Sequence, residues 1–261
     1  MLKNFKILAI CFLASFYANA QETNTYEIAT DRPSMSFSAA TTPKNTLIIE
    51  SGYLQVNQKS NLAKNTTFNP NISLRYGIGK RLELRLGEEF LANRTKFKNS
   101  DSVQKSSDFL PIALGVKYRI NNPENEKWAL SVLWASRVPV PTKLETASLR
   151  HYGRFLGQYN LGKTYLFSNI GLDFTDSGQN TDTFLAYTLG IGRNFDDGLY
   201  AFVETFGFDS LNSGLWSKGL NAGVIYIIQK RYQIDAVFGI DLETPVSQYN
   251  FFTIGFSMYF R

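Results

Sequence analysis

The feature that most constrains this chain is an alternation of apolar and polar residues that returns in segment after segment. In Leu110–Ile120, every second residue is apolar, and the residues between are small or charged, such as Gly115 and Lys117. A period of two places successive side chains on opposite faces of a β-strand, so each such segment predicts a strand with one apolar and one polar face. The predicted strands are Leu47–Asn57, Asn71–Ile78, Leu82–Gly87, Leu110–Ile120, Trp128–Arg137, His151–Leu161, Thr164–Phe174, Leu185–Gly192, Leu199–Phe208, Leu220–Ile228, Tyr232–Leu242 and Phe252–Phe260.

Helical patterns do not compete with this alternation. No segment has an apolar stripe at helical spacing that a period of two does not fit better. Beyond the N-terminus, no segment reaches the roughly eighteen consecutive apolar residues that indicate a membrane-spanning helix. Aromatic residues, which suit strands, make up 15% of the chain. The sequence therefore predicts an all-β protein.

The connections between the predicted strands alternate in length. The short ones are Gly79-Lys80, Gly162-Lys163, Asp196–Gly198 and Gln229-Lys230. The longer, polar ones are Gln58–Phe68, Ala92–Ser107, Val138–Arg150, Thr175–Asp182, Asp209–Leu215 and Glu243–Gln248, with Asn121–Glu126 as a mild exception. Short periplasmic turns and long extracellular loops are typical of outer-membrane barrels. We therefore expect an up-and-down antiparallel transmembrane β-barrel of about twelve strands.

The direction of the apolar face decides between a soluble barrel and a membrane barrel. A soluble barrel of about twelve strands would be too wide for its own side chains to fill. The predicted strands are also long enough to cross the hydrocarbon layer when tilted, and opposite charges such as Arg75 and Glu83 fall on polar faces. We therefore expect membrane lipid to surround the barrel. The residues predicted to face lipid are Leu74, Leu84, Leu114, Leu189, Ile234 and Ile254.

The N-terminus has the pattern of a secretory signal peptide. Lys3 and Lys6 precede the apolar stretch Ile7–Tyr17, which is followed by the cleavage site Ala18-Asn19-Ala20. The stretch is too short for a membrane-spanning helix. The sequence therefore predicts a signal peptide over residues 1–20.

Three regions follow from this cleavage site. They are the signal peptide 1–20, a periplasmic region 21–45 that precedes the barrel, and the barrel 46–261. Cys11 is the only cysteine, and it lies inside the signal peptide, with too short an apolar core before it for a convincing lipoprotein signal. The exported chain would thus contain no disulfide.

Short motifs in a fixed order resemble a known family. They are Thr30-Asp31-Arg32-Pro33, Glu50-Ser51-Gly52-Tyr53, Leu74-Arg75-Tyr76-Gly77, Leu82-Glu83-Leu84-Arg85, Gln233-Ile234-Asp235 and Gly255-Phe256-Ser257. Together they resemble the outer-membrane "transporter" family of meta-pathway phenol degradation proteins. The resemblance covers most of the exported chain and implies a place in the outer membrane of a Gram-negative bacterium and an association with aromatic catabolism. The last strand is also similar to the signals that the barrel-assembly machinery binds, although Arg261 follows the final aromatic Phe260.

Charged residues on the polar faces form the candidate site. The predicted lumenal network is Asp31, Arg32, Glu50, Arg75, Glu83, Arg85, Lys117, Glu204 and Asp235. Glu204 shares its face with Tyr200, Phe202 and Phe206, a patch that would suit an apolar or aromatic solute. We expect Thr30–Pro33 to fold into the periplasmic mouth, where Asp31 and Arg32 join the lumenal charges. The network could plug the barrel or line an open pathway.

Other function classes find little support. The net charge is +5, but Lys and Arg are scattered, so we expect no nucleic-acid partner. The chain has one histidine and no cysteine in its exported part, so we predict no metal site. It also has no phosphate-binding glycine loop, so we predict no cofactor. A lipid-modifying enzyme would need a Ser, a His and a carboxylate together. His151 has Ser148 and Glu145 nearby in a predicted extracellular loop, but nothing places Ser148 at hydrogen-bond distance. The sequence therefore does not predict an enzyme.

The preferred function is a passive channel or uptake pore for small solutes, apolar or aromatic ones included. The alternative is a closed structural or adhesive surface barrel whose long loops carry the function. A lipid-modifying enzyme ranks third.

Overall fold

The computed structural model describes residues 29–98, 100, 102–125, 127–138, 149–176, 181–196, 198–243 and 248–261. These residues form one antiparallel sheet, which closes into a barrel through the pairing of β2 with β3. The strands are β1 (Leu47–Lys59), β2 (Ala63–Gly77), β3 (Leu82–Phe97), β4 (Val103–Phe109), β5 (Ile112–Arg119), β6 (Trp128–Val138), β7 (Leu149–Leu161), β8 (Thr164–Asp176), β9 (Thr181–Asp196), β10 (Leu199–Ser210), β11 (Trp216–Ile228), β12 (Tyr232–Glu243) and β13 (Gln248–Phe260). No helix in the described ranges is long and apolar enough to cross a membrane.

Thirteen strands occupy twelve positions in the barrel wall. Both β4 and β5 pair with β3, β4 along its second half and β5 along its first half. The break between them falls at Leu110 and Pro111, and proline has no N–H for the sheet ladder. The predicted twelve-stranded, all-β barrel is therefore confirmed, with its fourth strand interrupted.

Several predicted loops are strand instead. The predicted loop Gln58–Phe68 is mostly the paired ends of β1 and β2, with Lys59 opposite Lys64. Much of the predicted loop Ala92–Ser107 is likewise the paired end of β3 and the strand β4. The alternation fades there because these ends have polar residues on both faces, although their backbone groups still need partners in the ladder.

The two ends of the barrel differ in their connections. At one end, called here the short-turn end, β7 and β8 are joined by Gly162 and Lys163 alone. At the same end, Gln229 and Lys230 both have positive φ, which gives the tight hairpin turn favoured between twisted strands. The opposite end is the long-connection end. Residues 139–148 of the predicted loop Val138–Arg150 lie outside the described residues, as do the predicted signal peptide 1–20 and residues 21–28.

The two faces of the wall are reversed relative to a soluble protein. Apolar side chains point outwards: Leu189 is 59% exposed and Ile254 53%. Arg75, Glu83 and Lys117 are buried inside. Large exposed apolar surfaces and buried charges suit a wall that faces lipid outside and a polar lumen inside. The residues predicted to face lipid are all on the outer face, and Leu74 alone among them is half-buried.

Candidate functional site

Residues 29–46, called here the N-terminal segment, lie inside the barrel. Thr46 at its end hydrogen bonds Tyr259 near the short-turn end, and Lys44 forms a bridge with Gly77. Its middle, around Ser36, reaches the wall formed by β9 and β10. The segment therefore enters the lumen from the short-turn end, turns inside it and returns to start β1.

Glu204 holds the turn of the segment. Its buried carboxylate accepts hydrogen bonds from the backbone N–H groups of Met35 and Ser36, both at 2.9 Å, and from the Ser36 hydroxyl. Asn169 pairs with the next residue in the manner of a strand, because its side chain accepts from Phe37 N at 2.6 Å and donates to Phe37 O at 3.1 Å. Polar wall side chains thus replace the sheet partners that this backbone lacks.

A second anchor is the cluster called here the Arg75 network, which comprises Asp31, Glu50, Arg75, Glu83, Arg85 and Lys117. Arg75 donates to Glu83 at 2.9 and 3.0 Å and to Glu50 at 2.8 Å. Lys117 Nζ lies 3.2 Å from Asp31, which also pairs with Arg85. Burial by itself would raise the pKa of Asp31, but the surrounding cations, Arg75 most strongly, outweigh it and hold this pKa well below its usual range. Three cations and three carboxylates thus form one cluster, to which the segment contributes Asp31.

Arg32 makes the third attachment, to β12 and β13. Its Nη2 lies 3.2 Å from Asp235 Oδ1 and 2.7 Å from Thr253 Oγ1. The guanidinium passes over Gly52 and Gly255, where an added Cβ would lie about 2 Å from Arg32 atoms. Glycine at these two positions therefore leaves the space that the Arg32 side chain occupies.

The turn of the segment divides the lumen into two cavities. The upper cavity, of about 400 Å³, lies towards the long-connection end and is lined by Arg85, Arg150 and Phe208 among others. The lower cavity, of about 470 Å³, lies towards the short-turn end beside Lys163 and Phe202. Four residues line both cavities and so form the partition: Arg32, Pro33, Ser34 and Phe37.

The sequence that forms this barrel matches the model of one family over almost the whole chain. The family model described as "Putative MetA-pathway of phenol degradation" matches residues 30–260. The chain belongs to this family. No curated protein matches the chain in sequence.

Several solved structures of outer-membrane barrels are similar to the structure of this chain. An outer-membrane channel from Pseudomonas putida F1 is 12% identical, with a TM-score of 0.68 over 92% of this chain and 100% of that one. The KdgM porin is 11% identical, with a TM-score of 0.54 over 81% of this chain and 99% of its own. The translocator domain of the autotransporter NalP from Neisseria meningitidis is 12% identical, with a TM-score of 0.55 over 83% and 89%. These likenesses establish the fold, which is that of outer-membrane β-barrels.

All nine residues of the predicted network lie inside the barrel. Six form the Arg75 network, while Arg32 pairs with Asp235. Glu204 lies apart from both groups and binds the turn of the segment. Phe202 and Phe206 also point inwards, in an apolar cluster with Val237 and Phe251.

Three arginines of the upper cavity, Arg137, Arg150 and Arg154, were not among the predicted site residues. Arg137 and Arg154 occupy the polar faces of predicted strands, so the same parity would have found them. Arg150 was placed in a loop, but it is the second residue of β7. Ser36 and Phe37 carry no periodic signal, because the segment that holds them is neither strand nor helix.

His151 was the first residue of the predicted strand His151–Leu161 and was also considered for an extracellular triad, and the structure agrees with the strand. His151 belongs to β7 and points to the outer face, where its Nδ1 lies 2.8 Å from Ser136 Oγ and its ring stacks on Trp134. The alternation had weakened at this strand end, which hid its first residues. Ser148 and Glu145, the other members of the hypothetical triad, lie outside the described residues.

Proposed function

We propose that this protein is an uptake channel for small solutes and that its N-terminal segment is the gate. In this proposal the short-turn end faces the periplasm and the upper cavity faces the cell exterior, as outer-membrane barrels are usually oriented. The observation that carries the proposal is the partition: Arg32–Phe37 separates two cavities that otherwise form one lumen. Residues 1–20 would serve for export.

The nature of the attachments supports a movable gate. The segment is held to the wall mainly by hydrogen bonds and ion pairs, such as Ser36 to Glu204 and Arg32 to Asp235. Each such hydrogen bond to a charged group contributes a net free energy of only about 1.5–3 kcal/mol, because water replaces the lost partner in a hydrated lumen. Apolar packing of the segment is limited to a small cluster in which Ala39 and Phe37 contact Leu133 and Leu156. Displacement would therefore expose little apolar surface to a hydrated lumen.

A cysteine lock tests this function. The hydroxyl oxygens of Ser36 and Thr188 lie 2.5 Å apart, so Ser36→Cys with Thr188→Cys, in a Cys11→Ser background, would place two sulfurs within reach of a disulfide. We expect the oxidised barrel to show minimal conductance in a planar bilayer and the reduced barrel to recover the conductance of the parent. Each single cysteine variant is the control, because it should not respond to reductant.

The closed surface barrel makes the opposite prediction for the same experiment. If oxidised, reduced and parent barrels all conduct equally little, and small solutes do not enter vesicles that contain them, the segment is a permanent plug. The channel function would then be wrong, and the protein would act through its surface.

An enzymatic function has one observation in its favour, the contact between Ser136 and His151 on the lipid-facing side. Within the described residues, however, no carboxylate or amide side chain hydrogen bonds His151 to orient it, and a serine hydrolase needs such a third group. We therefore expect neither the parent nor Ser136→Ala to hydrolyse the phospholipids of vesicles that contain it, and we expect both to have the same channel conductance. Phospholipid hydrolysis by the parent that this change abolishes would revive the enzyme.

A further inference from the structure

We propose that the upper cavity binds a small planar aromatic carboxylate, and that this solute competes with Phe37 for its place in the cavity. The inference deepens the proposed channel function, on which it rests, by naming the class of solute. Binding can nevertheless be measured without transport, so that either proposal can fail alone.

One wall of the upper cavity holds more arginines than carboxylates that pair with them. Arg137 and Arg150 are direct cross-strand neighbours, an arrangement that is unfavourable for like charges unless anions balance it. Arg137 pairs with Glu89, whereas Asp173 serves both Arg150 and Arg154. Arg137, Arg150 and Arg154 therefore share two carboxylates by direct contact, so that this group of three carries one positive charge more than its ion-pair partners.

Two arginines of the upper cavity have buried N–H donors without acceptors. The side chain of Arg85 is only 10% exposed, and its Nη1 has no hydrogen-bond partner among the described residues. The same holds for Nε of Arg150. A buried donor that has lost water without gaining a partner is unfavourable, and a carboxylate is the acceptor that guanidinium groups bind best. Both arginines line the upper cavity.

An aromatic stack already fills part of the upper cavity. The rings of Phe37 and Tyr152 stack with their centroids 5.8 Å apart and their planes at 7°. The Arg85 guanidinium lies 5.2 Å from the centre of Phe37, and that of Arg154 lies 5.6 Å from the centre of Tyr152. Phe37 thus lies between a cation and an aromatic face, which is a favourable place for a planar ring.

Phe37 belongs to the partition, whereas Arg85, Tyr152 and Arg154 belong to the wall. A solute ring that replaced Phe37 against Tyr152 would keep the stack while its carboxylate reached the arginines. The cavity of about 400 Å³ is within the range of small-molecule sites, roughly 300–1,000 Å³. Leu54, Ala186 and Phe208 supply apolar lining on other strands. Binding would therefore loosen the partition and couple the solute to opening.

Calorimetric titration of the detergent-solubilised barrel with benzoate tests the inference. Cyclohexanecarboxylate keeps the charge without the planar ring, and benzamide keeps the ring without the charge. We expect saturable binding of benzoate and binding at least about tenfold weaker for each of the other two. Equal binding of benzamide would contradict the anion site, and equal binding of cyclohexanecarboxylate would contradict the stack. The absence of benzoate binding would overturn the proposal.

Variants separate the competitor from the site. Phe37→Ala should tighten benzoate binding, because it vacates the stack, whereas Arg154→Gln should weaken it about tenfold. Arg119→Gln is the matched control, since Arg119 is an interior arginine that bonds Asn121 and Trp128 near the short-turn end. If Phe37→Ala weakens binding as Arg154→Gln does, Phe37 is part of the site and competition is wrong.

Two safeguards keep the outcomes distinct. Where Arg154→Gln fails to fold, as shown by its gel mobility with and without heating, Arg154→Lys retains the charge but not the planar stacking group, and it should also weaken binding. Benzoate binding to a barrel whose cysteine lock never alters conductance would leave this site intact and overturn the channel. A working gate without benzoate binding would do the reverse.

Discussion

Two clusters of charge on the same inner wall use the same residue types and differ in what covers them. In the Arg75 network three cations meet three carboxylates, and the side chains of Arg75, Glu83 and Lys117 are fully buried beneath the N-terminal segment. In the upper cavity, Arg137, Arg150 and Arg154 share the carboxylates of Glu89 and Asp173, and the side chain of Arg150 is 42% exposed. A balanced and covered cluster holds the segment, while an unbalanced and open one can receive a solute.

The largest expected effect comes from removing the centre of the covered cluster. Arg75→Ala would leave Glu50 and Glu83 buried without their main partner, and breaking a buried ion pair in this way costs about 3–5 kcal/mol. Arg150→Ala, at the open cluster, should cost no more than about 1 kcal/mol, as exposed pairs do. Urea unfolding of the barrel in lipid vesicles measures both. Equal losses would remove the distinction between the clusters.

A second prediction compares the outer and inner faces of a single strand. Leu114 is 49% exposed on the outer face, and Ala113 beside it lines the upper cavity. Leu114→Arg should cost about 2–4 kcal/mol, because an arginine there must enter hydrocarbon. Ala113→Arg can keep its charge in the lumen and should cost less in the same unfolding measurement. A larger loss at Ala113 would contradict the assigned faces.

Parity explains why so much of the wall could be predicted from sequence. A strand that separates lipid from lumen must alternate, so Glu83 and Arg85 were placed inside by their spacing from Leu84 alone. The path of the N-terminal segment could not be predicted in this way. Ser36 meets Glu204 across 168 residues of chain, and Phe37 meets Asn169 across 132. Such contacts depend on the closed barrel, and no local pattern in the segment records them.

The strand ends show the same limit. Where β2 and β3 continue into polar sequence, Asn65 pairs with Thr95 and Thr67 with Asn93. These positions carry no apolar face, so the alternation that indicates a strand is missing even though the ladder continues. The missed arginine Arg150 lies at one such end.

A third prediction concerns the pH range over which the covered cluster holds the segment. A carboxyl whose pKa is lowered on folding stabilises the fold above its unfolded pKa, and this contribution is lost only as the pH falls through the folded value. Because the pKa of Asp31 is held well below its usual range, conductance should stay low from about pH 7 to about pH 4. Asp31→Asn removes the charge at every pH and should raise conductance already at pH 7. If the conductance of Asp31→Asn at pH 7 is as low as that of the parent, the role of Asp31 is contradicted.

The smallest expected effect is at Arg85, where the two clusters meet. Arg85→Ala removes the pair with Asp31 and the cation beside Phe37, but Asp31 keeps Lys117 at 3.2 Å. The segment should therefore stay in place, and single-channel conductance should rise less than it does on reduction of the cysteine lock. Loss of a positive charge from the upper cavity should at the same time shift ion selectivity towards cations. Arg85→Lys retains that charge and should not shift the selectivity. If Arg85→Ala changes neither conductance nor selectivity, the open cluster does not lie on the permeation pathway.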